Sequence, residues 1–163
     1  IRSLLLRLRS GVLDDFGLSP AILSVVEFWQ RRRPETRFDV RLPPDGASFG
    51  PLVDTAVYRI VQEALSNAIR HGDPAEITVT VEQSPAGASG PGSVTVKVTN
   101  DGAGADNSAG FGFGLTGMQE RVHALGGRLV LTRDPGLDLS VTATLPIPAR
   151  STGACANLLA GTT

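Results

Sequence analysis

Glu63 and Asn67 stand four residues apart, and His71 follows after four more. On a helix this spacing stacks the three side chains in one row. At about 100° per residue the row borders an apolar stripe of Val53, Val57, Ile60, Val61, Ala64 and Ala68. A carboxylate, an amide and an imidazole at the edge of a core suit metal and phosphate chemistry if a cleft opens there. Taken alone they equally fit an ordinary helix shoulder in water. Asp101 directly follows an alternating, strand-like run, with Gly102 and Gly104 after it. A carboxylate fixed at a strand end can accept a hydrogen bond from an exocyclic amine such as the N6 of adenine, and glycines leave room for a flat base. "NDGAG" alone is also a good turn. Gly110, Gly112 and Gly114 lead into a helical pattern, and free N–H groups at a helix start favour phosphate oxygens.

These positions need elements to hold them. Leu4, Leu5, Leu8 and Val12 recur at helical spacing, so residues 1–9 read as the end of a helix, broken by "DDFGLSP". Ser19 is the expected N-cap of a second helix with Pro20 at its first position, running through "AILSVVEFWQRRR" to Pro34. "RFDVRL" is a short strand and "PPDGASFG" a polar turn. Residues 51–71 carry the strongest helical signal, ended by Gly72 and Pro74. "EITVTVE" and "SVTVKVT" alternate as strands around the low-complexity linker "QSPAGASGPG". "LTGMQERVHAL" is a helix stopped at Gly126-Gly127, and "RLVLTR" and "LSVTATLP" are two more strands. The expected fold is an α/β (α+β) two-layer sandwich: a mixed, mostly antiparallel sheet of about five strands with three helices on one face. The βαβ alternation of a doubly wound sheet is missing. "GFGLTG" matches the G-x-G-x-x-G string, but a long polar loop precedes it where that motif needs a strand.

Three signals in one order narrow the reading. "YRIVQEALSNAIRHG", "VTNDGAG" and "GFGLTGMQERV" resemble the N box and the two glycine boxes of GHKL (Bergerat-fold) ATPases. Within that superfamily the chain resembles the ATP-binding domain of bacterial sensor histidine kinases, in wording nearest the subfamily that signals to LuxR/NarL-type response regulators. "LRSGVLDDFGLSPAI" is similar to the segment joining the dimerisation helices to the ATPase domain there. The resemblance covers residues 1 to about 147. It implies the end of a dimerisation helix and linker over 1–17, the ATP-binding domain over 18–147, and a disordered tail over 148–163. Carried over box by box, Asn67 would coordinate Mg²⁺, a small hard ion that takes few protein ligands. Glu63 would be the acid/base or polarising residue near the metal and γ-phosphate, with Arg70 and His71 toward the phosphates. Asp101 would accept from adenine N6, with Gly102 and Gly104 making room. Gly112, Gly114 and the backbone of Leu115 and Thr116 would hold phosphates at the far hinge of an ATP lid over residues 102–117. Implied partners are the protein's own dimerisation and phosphoacceptor domain and a response regulator, with a homodimeric full-length protein and a monomeric fragment.

Composition bounds the alternatives. The 163 residues, 41% apolar, suit one compact domain. A formal net charge of −1 gives no sign of a nucleic-acid surface, and Arg31, Arg32 and Arg33 suit a helix C-terminus. Cys155 is the one cysteine, which excludes a disulfide framework or an intrachain zinc site and agrees with a reducing, cytoplasmic setting. The opening "IRSLLLRLRSG" is already in helical register and reads as a piece of something longer, whose whole is either membrane-anchored or soluble. The two histidines, His71 and His123, lack the acidic neighbour of an H-D-E-like acceptor. The expected fragment therefore binds ATP without autophosphorylating. Two departures stand out: "PGLDLS" puts Asp138 and Leu139 at the family's usual Gly and Thr positions, and Gly72 replaces a more usual Ala, which is expected to matter little. A free-standing GHKL ATPase or serine kinase, and a degenerate module that no longer uses nucleotide, are the competing functions.

Overall fold

The structure, a computed structural model, describes residues 11–88, 90–102, 112–133 and 139–148. Among the described residues a helical segment, α1, covers 11–16 and so runs into the expected breaker as far as Phe16; it is followed by α2 (Leu18–Arg32), β1 (Arg37–Arg41), α3 (Pro51–His71), β2 (Glu76–Ser84), β3 (Ser93–Asn100), α4 (Gly112–Ala124), β4 (Arg128–Arg133) and β5 (Leu139–Pro146). The sheet order is β1-β2-β3-β5-β4. β1 runs parallel to β2, and every other pairing is antiparallel. The expected mixed, five-stranded sheet is therefore present. The one parallel pair makes β1, α3 and β2 a single βαβ unit, since a parallel neighbour needs a crossover connection, and the sheet is not doubly wound. Among the described residues, no helix is long and apolar enough to cross a membrane.

Strand alternation separates the two faces. One apolar row crosses all five strands as Val40, Val79, Val98, Val141 and Leu131. The opposite face is built largely of threonine, with Thr95 3.4 Å from Thr144 and Thr99 3.1 Å from Ser140 between hydroxyl oxygens. Only the valine face needs cover. On α2, Leu18, Ala21, Ile22, Val25 and Val26 are buried at helical spacing, and on α4 Met118 and Val122. Helix α3 buries Val53, Val57, Ile60, Val61, Ala64 and Ala68, the stripe expected from its sequence, and with them Ala56 and Leu65.

Two helix starts differ from expectation. Gly17, at φ 90°, is the N-cap of α2, and Ser19 lies inside the helix. The Ser19 hydroxyl is drawn away by the Pro43 carbonyl, to which it donates at 2.9 Å. Helix α4 begins at Gly112, so residues 112–117 of the expected lid are its first turns. The remainder of that lid, 103–111, lies outside the described residues, as do 1–10 and the expected tail over 149–163.

The start of α3 is tied down with care. Gly50 is its N-cap and Pro51 its first residue. The buried Asp54 carboxylate reaches back to accept from the Phe49 N–H at 2.9 Å and the Ser48 hydroxyl at 2.6 Å. Asp54→Ala strands the Phe49 N–H and is expected to cost about 1–3 kcal/mol. A lowered urea midpoint with unchanged slope reads that loss, and an unchanged midpoint would show that the bonds contribute nothing.

Candidate functional site

Helix α3 presents the first three site residues along one row. Glu63 is half-buried, Asn67 is 8% exposed, and His71 stands exposed at the helix end beside exposed Arg70. Neither the Glu63 carboxylate nor the Asn67 amide makes a hydrogen bond among the described residues. The Asn67 residue is thus mostly enclosed while its amide atoms remain open to water. His71 and Thr116 both have interactions of their own.

The start of α4 meets this row from above. A Cβ placed on Gly114 would run into Glu63 Oε1, with the carboxylate carbon at 2.9 Å. Gly114 therefore gives the Glu63 carboxylate its space. In a helix beginning at Gly112, the free N–H groups belong to its first turn, which includes Gly112 and Gly114. Leu115 and Thr116, expected to offer their backbone to phosphates, follow directly in the same helix.

Asp101 lies just past the end of β3, and its surroundings are specific. Its Oδ1 accepts from the Glu76 N–H at 3.0 Å, while its own N–H donates to the Glu76 carbonyl at 3.4 Å. Oδ2 has no partner among the described residues. Leu139, at the altered "PGLDLS" segment, pairs with Asn100 next door, whose side-chain amide donates to the Leu139 carbonyl at 3.5 Å. Asp138 and Gly104 lie outside the described residues.

The third junction joins the far end of α3 to Asp101. A Cβ on Gly72 would strike the Gly102 carbonyl oxygen. A Cβ on Gly102 would strike the Pro74 nitrogen and come within 2.8 Å of the Asp73 carbonyl carbon. Two expectations change here. Gly102 lacks a side chain because the chain's own 73–74 backbone occupies that space, whatever else it admits. Gly72 cannot be exchanged for Ala without movement, so it does matter. Both follow from a contact between segments distant in sequence, which spacing alone does not reveal. The same loop is held from behind, another feature the sequence reading missed. The buried Thr36 hydroxyl donates to the Pro74 carbonyl at 2.8 Å, the Arg37 N–H donates to the Ala75 carbonyl at 2.8 Å, and Arg33 pairs with Asp73.

One helix thus touches both other candidate segments: α4 at Glu63 and the end of β3 at Gly72, with Asn67 between them. The arrangement can pair with a base edge at Asp101, offer one amide oxygen to a cation at Asn67, and hold a carboxylate at Glu63. Among the described residues, no group of three or more His, Cys, Asp or Glu could hold a metal ion. A cation here would take one protein oxygen and fill its shell from phosphate and water, which is how Mg²⁺ is commonly held. The Asn67 amide, on a residue 8% exposed and without a partner among the described residues, fits that use. His123 is exposed on α4, as a plain surface residue would be. Two described cavities lie elsewhere, one of about 460 Å³ at the opposite end of β3 near Gly92 and Arg128, the other beside Phe28 on α2.

Comparison with known proteins agrees with this geometry. The chain is 30% identical over 149 residues to the signal transduction histidine-protein kinase/phosphatase DegS of Brevibacillus brevis, covering 90% of this chain and 37% of that protein. It is 33% identical over 145 residues to UhpB of Salmonella typhimurium, covering 87% and 27%, and 32% identical over 124 residues to the methanol utilization control sensor protein MoxY of Paracoccus denitrificans, covering 73% and 27%. The chain therefore spans little more than a third of these relatives at most. In fold it is similar to the blue-light activated histidine kinase of Erythrobacter litoralis, with a TM-score of 0.63 at 17% identity over 87% of this chain and 51% of that one. It is also similar to the ATP binding domain of PrrB from Mycobacterium tuberculosis, with a TM-score of 0.55 at 19% identity, covering 77% and 90%. Residues 53–149 match the model of one family across all three segments, and the chain belongs to it: the histidine kinase-, DNA gyrase B- and HSP90-like ATPases.

Proposed function

We propose that the chain is the ATP-binding catalytic domain of a two-component sensor histidine kinase. It supplies the γ-phosphate of Mg-ATP to a histidine on a dimerisation domain of the same protein, for relay to a LuxR/NarL-type response regulator in the cytoplasm. The observation that carries this reading is the junction of both glycine segments on helix α3, at Glu63 and at Gly72.

Each residue then has a defined task. Asp101 accepts from adenine N6 with Oδ2, its Oδ1 being held by the Glu76 N–H. Asn67 offers its side-chain oxygen to the Mg²⁺ that travels with the triphosphate, an ion that neutralises phosphate charge when bound. Glu63 would serve as the acid/base or polarising carboxylate, taking a proton from the attacking imidazole. Gly112 and Gly114 leave backbone N–H groups at a helix start, which suit phosphate oxygens. Arg70 and His71, exposed at the end of α3, extend the polar row toward the same side. Closure over the nucleotide falls to the glycine-rich segment after Asp101.

Selectivity rests on Asp101 having two acceptor oxygens with two donors to meet. Asparagine has one. Turned toward Glu76, it shows its NH₂ to the adenine amine; turned toward adenine, it shows its NH₂ to the Glu76 N–H. Donor faces donor either way, at a cost of about 1–3 kcal/mol. Asp101→Asn should weaken ATP binding about tenfold or more by calorimetry, and should shrink the rise in melting temperature that Mg-ATP gives the wild-type chain. Affinity equal to wild type would refute the adenine role, and no thermal shift in the wild type would favour the degenerate module. Glu63→Gln should retain ATP binding while phosphotransfer to a supplied dimerisation domain falls by about 10²–10⁴-fold. Transfer at the wild-type rate would remove Glu63 from the chemistry. With radiolabelled ATP the chain alone should acquire no label on His71 or His123, and labelling of either would place the acceptor within it.

A further inference from the structure

Gly72 caps α3 with φ −138°, an extended backbone that any residue adopts. Its missing side chain is a matter of space. A methyl group there would overlap the Gly102 carbonyl oxygen and sit 3.1 Å from its carbon. From the other side, a methyl on Gly102 would overlap the Pro74 nitrogen and lie 2.5 Å from its Cα. All these atoms belong to the backbone, so none can swing aside as the end of a long side chain would.

The loop carrying Gly72 cannot easily retreat either. Thr36 holds the Pro74 carbonyl with a buried hydroxyl, Arg37 holds the Ala75 carbonyl, and Arg33 pairs with Asp73. The opposing strand end is less secured. Beyond Asn100 its described ties to β2 are the 3.4 Å bond from the Asp101 N–H and the bond from the Glu76 N–H to the Asp101 carboxylate. Added bulk at 72 therefore displaces Gly102 and, with it, the residue just before.

We propose that Gly72 is a positioning residue for Asp101: without a Cβ it lets the Gly102 backbone seat against the end of α3, which sets the height at which the Asp101 carboxylate meets the purine edge. The role rests on the reading of Asp101 as the adenine acceptor. It separates Gly72 from residues that touch nucleotide, since it acts through its neighbour across the junction. A misplacement of the order of 1 Å weakens a directed hydrogen bond far more than it disturbs stacking or phosphate contacts.

The test compares ATP with inosine triphosphate, which carries a carbonyl where ATP carries its amine, by calorimetry on the whole chain with Mg²⁺. Wild type should prefer ATP. In Gly72→Ala, ATP should bind about tenfold weaker while inosine triphosphate holds, so the preference shrinks by about the same factor. An equal loss for both, or no loss, overturns the positioning role, because general loosening has no reason to single out the amine. Should Gly72→Ala fail to fold, Thr36→Val frees the same loop by removing its bond to the Pro74 carbonyl. A reduced preference there supports the role, and an intact one overturns it. If wild type binds both triphosphates equally, the adenine reading itself fails and the positioning role with it; a wild-type preference left intact in Gly72→Ala overturns the positioning role alone.

Discussion

The burial of one aliphatic stripe along helix α3 is the constraint on which the rest of the structure depends. Val57, Ile60, Val61 and Leu65 are wholly enclosed against the valine face of the sheet. Each such side chain contributes on the order of 1.5–3 kcal/mol when removed from water, so the helix can neither roll nor slide cheaply. A roll would drive Glu63 into the core or lift Asn67 out of it. The positions of the polar row are thus fixed by the apolar one beside it, and chemistry at the rim inherits the rigidity of the interior.

The structurally constrained glycines divide into two physical kinds. Gly17 and Gly50 sit at positive φ and serve the backbone directly, at the starts of α2 and α3. Gly72, Gly102 and Gly114 serve contact, since each leaves open a space that another part of the chain fills. The first kind can be anticipated from the logic of caps and turns. The second becomes visible only when the partner across the gap is known, and here the partners are residues well apart in sequence.

That difference explains how much was legible in advance. Element types followed from periodicity, and α3, β4 and β5 begin and end where alternation and breaker residues indicated. Glu63 and Asn67 could be singled out because four-residue spacing beside a stripe has a geometric meaning. Ser19 misled because its hydroxyl found a carbonyl 24 positions away in preference to its own helix. The start of α4 came early because three glycines in its first turns suggest a loop, whereas the stretch from Gly112 is helix. The parallel β1–β2 pairing was hidden because a short alternating strand carries no mark of its neighbour's direction. Gly72 looked like a neutral exchange because nothing in "RHGD" announces Gly102.

The Asn67 amide has a consequence for how tightly anything is held there. The residue as a whole is only 8% exposed, but its amide atoms are not shut off from water, and they have no partner among the described residues. A guest that met its oxygen would displace only the water that still reaches it, and would find the side chain already held in place by the packing around it. Part of the affinity of such a pocket then comes from ordering that was completed when the chain folded and that the guest need not repeat.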